Sequence, residues 1–70
     1  MEVKDSNGNI LADGDNVVLI KSLKVKGSNL NLKQGMTVKK IKLTADENEV
    51  DCRVEGKSIV LKTMYLKKVG

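Results

Sequence analysis

The sequence predicts a small all-β fold, a barrel or a sandwich, in a chain of 70 residues. Three observations predict it. Turn signals recur every few residues. The apolar segments between them are short and mostly alternate with polar positions, leaving little room for a helix. One segment changes the parity of its alternation, as a strand does when it bends from one sheet into another. Val, Leu and Ile make up 21 of the 70 residues, well above a disordered composition. At this length the core is nonetheless thin.

The elements follow in order. Asn7-Gly8, between Val3-Lys4 and Ile10-Leu11, reads as a hairpin turn in which Gly8 supplies a positive φ. Asp13-Gly14-Asp15 is a second turn. Asn16–Ser22 is apolar at Val17, Val18, Leu19 and Ile20, the pattern of a strand covered on both faces. Leu23-Lys24-Val25-Lys26 alternates, with Leu23 and Val25 inward. Gly27-Ser28-Asn29 is the next turn; Leu30 and Leu32 then alternate with Asn29 and Asn31, and Gln34-Gly35 turns again. In Met36–Thr44, Met36 and Val38 share one parity and Ile41 and Leu43 the other. A side-chain period of two cannot turn both pairs inward without an inserted residue, so a bulge or sharp coil is expected at Lys39-Lys40. Asp46-Glu47-Asn48 turns into Glu49–Val54, which places Val50, Cys52 and Val54 on one face and Glu49, Asp51 and Arg53 on the other. Glu55-Gly56-Lys57 returns the chain into Ser58–Lys62, with Ile59, Val60 and Leu61. Thr63-Met64-Tyr65-Leu66 reads as one helical or 3₁₀ turn with Thr63 as its N-cap, before a short strand at Lys67-Lys68-Val69. About five strands and one domain over residues 1–70 are expected.

The chemistry is spare. The chain has no His, no Pro, no Trp, no Phe, one Tyr and one Cys. That excludes every His-based catalytic arrangement, most metal sites and any internal disulfide. A lone Cys fits a reducing cytoplasm. The polar start, Met1-Glu2-Val3-Lys4-Asp5-Ser6, is not a secretory leader. The longest apolar run, Val17–Ile20, cannot span a bilayer. Cys52 lies on an apolar strand face with no base to activate it and is expected to be buried and structural. Asp5-Ser6-Asn7-Gly8-Asn9 begins like a calcium loop, but Ile10 stands where that loop needs Gly and Asn16 where it needs Glu. The cluster of Asp46, Glu47, Glu49 and Asp51 suits cross-strand pairing with lysines. No phosphate-binding glycine loop is present, and no cofactor is implied.

Charge is the remaining signal. The net charge is +4. It is unevenly spread: −3 over residues 1–15, +7 over residues 16–45 with no acid at all, and zero over residues 46–70. Lys21, Lys24, Lys26, Lys39, Lys40 and Lys42 are the candidate contacts for an anion, a nucleic acid or an acidic protein. The plainer reading is a solvated face that keeps a small protein in solution. Stacking platforms are scarce, since Tyr65 is the one aromatic and Arg53 the one arginine. Nucleic-acid contact would therefore run through backbone phosphates and depend steeply on salt.

The run Val3-Lys4-Asp5-Ser6-Asn7-Gly8-Asn9-Ile10-Leu11-Ala12-Asp13-Gly14-Asp15 resembles the opening of the C-terminal domain of the PhnA-like family, the alkylphosphonate-utilisation-operon proteins. So do Ile20–Ser28, Gln34–Ile41, Asp51–Gly56 and Leu61–Val69, in order along nearly the whole chain. The resemblance implies an SH3-like β-barrel and a family name taken from operon context. Longer members carry a cysteine-ligated zinc ribbon; its cysteines are not among these residues, so no zinc ligand carries over. A phosphonoacetate hydrolase label, sometimes attached to the family, finds no metal ligand or nucleophile here, and no catalytic residue carries over.

The reading is thus a non-catalytic SH3-like module linked by family name to alkylphosphonate utilisation. The alternative is a basic module associated with nucleic acid or the ribosome. An enzyme acting on phosphonates ranks behind both, because lysines bind the anion but do not cleave a carbon–phosphorus bond without a nucleophile, metal or cofactor. Edge strands of so small a fold are also open to pairing in an oligomer.

Overall fold

The computed structural model describes residues 2–25 and 30–69. The described chain is all-β apart from a single 3₁₀ turn. Its strands are β1 (Val17–Leu19), β2 (Leu23–Lys24), β3 (Asn31–Leu32), β4 (Thr37–Val38), β5 (Lys42–Leu43), β6 (Glu49–Val54), β7 (Lys57–Lys62) and β8 (Leu66–Lys68). The 3₁₀ turn spans Thr63–Tyr65. Three antiparallel sheets result, in the orders β4-β1-β8, β2-β3 and β5-β6-β7. Eight short strands therefore replace the expected five. The chain changes sheets at Ile20–Ser22, between two segments read as separate strands, and at Lys39–Ile41, within the single segment Met36–Thr44.

The hairpin at Asn7-Gly8 forms as its residues require. Lys4 bridges Ile10 antiparallel, and Gly8 sits at φ 83°, where L-residues with a Cβ are strained. Asp5 organises the turn from within. Its buried carboxylate accepts hydrogen bonds from the backbone N–H of Asn7 (2.9 Å) and Asn9 (2.8 Å), from the Asn9 side-chain amide (3.1 Å), and from the N–H of Lys68 in β8 (2.6 Å). The last bond ties the N-terminal hairpin to the final strand. The turns at Asp13-Gly14, Gln34-Gly35 and Glu55-Gly56 form as expected. The turn expected at Gly27-Ser28-Asn29 lies outside the described residues.

The core is aliphatic. Val3, Leu11, Val17, Leu19, Leu32, Val38, Ile41, Val50, Cys52, Val54, Ile59, Leu61 and Leu66 form one buried cluster drawing on all three sheets. Leu23, Val25, Leu30 and Met36 pack against its margin. The radius of gyration, 10.9 Å, is close to the ~11 Å of a compact chain this long.

Three expectations fail locally. Val17 and Leu19 are buried, but Val18 is half-buried and Ile20 is exposed. β1 is central in its sheet, yet only one of its faces meets the core. Leu43 shares the face of its buried partner Val50 but is not covered as Ile41 is, and 36% of its surface is exposed. Thr63 is not an N-cap. Lys62 holds that position without a side-chain cap, and Thr63 is buried as the first residue of the turn. The reason is that β7 runs straight into the turn: the Thr63 N–H donates to the Asn48 carbonyl (2.9 Å), prolonging the ladder with β6.

Candidate anion-binding site

The parity switch is where the site forms. β4 pairs with β1, whereas β5 pairs with β6, so the chain changes sheets across Lys39, Lys40 and Ile41. Lys40 takes φ 55°, a left-handed conformation that costs a non-glycine residue about 1–2 kcal/mol. The turn at residues 13–16 holds this bend in place. Asn16 Oδ1 accepts the Lys40 N–H (3.2 Å). The Asp15 carbonyl accepts the Ile41 N–H (3.0 Å), and the Ile41 carbonyl accepts the Gly14 N–H (2.8 Å). Asp13 Oδ1 accepts the Leu43 N–H (2.7 Å). Ile41 is fully buried and anchors the bend to the core, leaving Lys39, Lys40 and Lys42 exposed on either side.

The outer face of β6 completes the surface. Lys42 stands opposite Asp51, and Arg53 opposite Ser58 in β7. Lys39, Lys40, Lys42, Asp51, Arg53 and Ser58 line a concavity of about 380 Å³. Four cations and one carboxylate leave a net positive hollow. Such a surface attracts anions, and Arg53 adds a planar fork suited to phosphate- or carboxylate-like oxygens.

Cys52 forms part of the same wall but offers no nucleophile there. Its side chain is buried and 2% exposed. Burial first, and the Asp51 charge second, push its thiol up to about 11. The S–H is directed at the Val50 carbonyl (4.0 Å).

The six lysines singled out from the sequence do not share one surface. Lys39, Lys40 and Lys42 come together. Lys24 lies in β2 on the rim of a separate groove. Lys21 places its ammonium 5.1 Å from the Tyr65 ring centroid, a cation–π contact. Lys26 lies outside the described residues. Sequence reasoning left Arg53 out of the anion contacts. Its outward direction was readable from strand alternation, but its approach to the lysines depends on the register of β5 against β6.

The acidic cluster is dispersed. Asp46 accepts the Asn48 N–H (2.8 Å), while Glu49 and Asp51 face Lys62 and Lys42 across the ladders. Among the described residues, no three His, Cys, Asp or Glu side chains come together as a metal-ligating group. No helix among them is long and apolar enough to cross a membrane.

A small all-β domain with a basic hollow at a strand bend is the class these features define. The chain belongs to the PhnA domain family: the family described as "YjdM: PhnA domain" matches residues 3–69. It is 51% identical over 67 residues to Protein YjdM of Escherichia coli K12, covering 94% of this chain and 60% of that protein. It is 58% identical over 66 residues to the YjdM homolog of Haemophilus influenzae, covering 94% and 52%. With Protein YjdM of Streptococcus mutans it shares 48% identity over 68 residues, covering 96% and 62%. The chain thus spans between half and two thirds of the length of these relatives.

Proposed function

We propose that this domain is a non-catalytic binding module, an open SH3-like barrel that holds anionic groups in the hollow at the β4–β5 bend. The observation that carries the reading is the convergence of Lys39, Lys40, Lys42 and Arg53 on one concavity of about 380 Å³. The hollow has room for a small oxyanion or for a stretch of phosphate backbone. The family's link by name to alkylphosphonate utilisation makes a phosphonate a natural first ligand to try. Binding rather than turnover is favoured because the one thiol at the hollow is buried and strongly disfavours its thiolate. A reducing cytoplasm suits that free thiol.

The second reading is contact with nucleic acid, favoured by the uninterrupted +7 of residues 16–45. Tyr65 is a poor stacking platform for it, being half-buried with Lys21 over its ring.

Titration of the domain with methylphosphonate, inorganic phosphate and a single-stranded 12-mer, followed by amide NMR, tests both. The expected result is saturable shifts at residues 39–42 and 53, at least tenfold weaker in Lys40→Gln/Lys42→Gln. Shifts scattered over the surface without saturation reject the site. Release of phosphate from methylphosphonate by the domain alone rejects the non-catalytic assignment.

A further inference from the structure

The longest exposed edge in the fold is that of β7, which has β6 on one side and no strand on the other among the described residues. Its hydrogen-bonding pattern follows from the turn that precedes it. Glu55 (φ 51°) and Gly56 (φ 76°) form a two-residue loop with both φ values positive, so Val54 and Lys57 close the hairpin as a hydrogen-bonded pair. Alternation then makes Cys52–Ile59 and Val50–Leu61 hydrogen-bonded pairs, and the Thr63 N–H bond to Asn48 continues the same series. The N–H and C=O groups of Ser58 and Val60, and the N–H of Lys62, therefore point away from β6.

A groove adjoins this edge. A depression of about 420 Å³ is lined by Ser58–Lys62, by Leu23, Lys24 and Val25, and by Tyr65. β2 is paired only to β3. Two strands that share no ladder, β2 and β7, thus line one gap, with Leu23, Val25 and Val60 as its aliphatic part. Ser58 to Lys62 spans about 13 Å of extended chain, the reach of a segment of four or five residues.

Charge selects the occupant. Lys24 and Lys62 line the groove, Lys57 opens β7, and Lys21 lies over Tyr65. Lysines on an edge are a usual guard against pairing with another copy of the same chain, and a copy here would bring a further net +4. A segment carrying carboxylates meets the opposite situation. We propose that the β2–β7 groove receives an extended segment of a partner protein with alternating acidic and aliphatic residues, which adds as a strand to the free edge of β7. Its backbone pairs with Ser58, Val60 and Lys62, its aliphatic side chains fill the gap toward Leu23 and Val25, and its carboxylates meet Lys24 and Lys62.

The probe is a fluorescein-labelled, end-capped Glu-Val-Glu-Val-Glu-Val peptide. The expected result is saturable anisotropy, with amide exchange slowed at least tenfold at Ser58, Val60 and Lys62. N-methylation of alternate peptide amides, or Lys replacing its Glu residues, is expected to weaken binding at least tenfold. Val60→Pro removes an N–H not used by β6 and is expected to abolish binding with an unchanged circular dichroism spectrum. Equal affinity of the N-methylated peptide, or unchanged exchange at the edge of the wild-type protein, overturns the proposal whether or not the proline variant folds. A dimer paired through β7 that the peptide does not dissociate, or protection of that edge by a 12-mer oligonucleotide instead, overturns it as well.

Discussion

Asp5 shows how much a single side chain does in so small a protein. It is buried, and burial alone would raise its carboxyl pKa. Hydrogen bonds from the amides of Lys68, Asn9 and Asn7 and from the Asn9 side chain outweigh that effect and hold it below the ordinary 3.8. The folded state therefore binds this proton less readily than the unfolded chain. The stabilisation is complete above the unfolded value and is lost as pH falls through the lower, folded one. Asp5→Ala is expected to cost about 2 kcal/mol near neutrality, since charged hydrogen bonds are lost and amides are left unpaired. Urea unfolding between pH 2 and 7 checks this: the variant lacks part of the wild-type decline below pH 4. Cys52 makes the complementary case. Buried and raised to about 11, its thiol is expected to resist aromatic disulfide reagents at pH 8 until urea unfolds the chain, and rapid labelling of the folded protein refutes that.

At the scale of an element, the β4–β5 bend and the β6–β7 hairpin position the hollow and the groove. The parity switch within Met36–Thr44 is legible because side chains alternate with a period of two, and the bend appears where that switch requires it, with Lys40 left-handed. Sequence could not show that Leu43, on the inward face opposite Val50, would stay incompletely covered. Its N–H is claimed by Asp13 from the adjoining turn, beyond the anchor at Ile41. The contrast is measurable. Ile41→Ala is expected to cost about 2–5 kcal/mol as a fully buried truncation, and Leu43→Ala less than about 1 kcal/mol; similar losses from both would show that the bend does not separate their environments. The hairpin makes the opposite prediction. Glu55 occupies a left-handed position that Asn tolerates better, and Glu55→Asn creates the Asn-Gly pair favoured in such turns. It is expected to stabilise the fold by about 0.5–1 kcal/mol, read as a higher midpoint in thermal unfolding.

Over the whole molecule, the buried apolar residues form a single cluster, with Asp5 and Thr63 as the buried polar residues among those described; the described lysines and Arg53 stay at the exterior. There Lys39, Lys40 and Lys42 gather in the hollow with Arg53, while Lys24 and Lys62 line the β2–β7 groove. If the hollow binds a phosphate backbone through its four cations, the logarithm of affinity for a single strand is expected to fall with the logarithm of salt at a slope of about −3. Lys42→Gln is expected to reduce that slope by about 0.7. Binding that does not change with salt would place the contact elsewhere.

Local chemistry alone decided the turns, the alternating faces of β6 and the place of the bend, because glycine conformation and side-chain period act over a few neighbouring residues. It also decided that no histidine chemistry is available. Tertiary structure decided which charges meet. The register of β5 on β6 brings Arg53 to Lys39, Lys40 and Lys42, and the division into three sheets leaves β2 and β7 unpaired with each other on one groove. Both depend on contacts between residues far apart in the chain, and no local pattern encodes such distances.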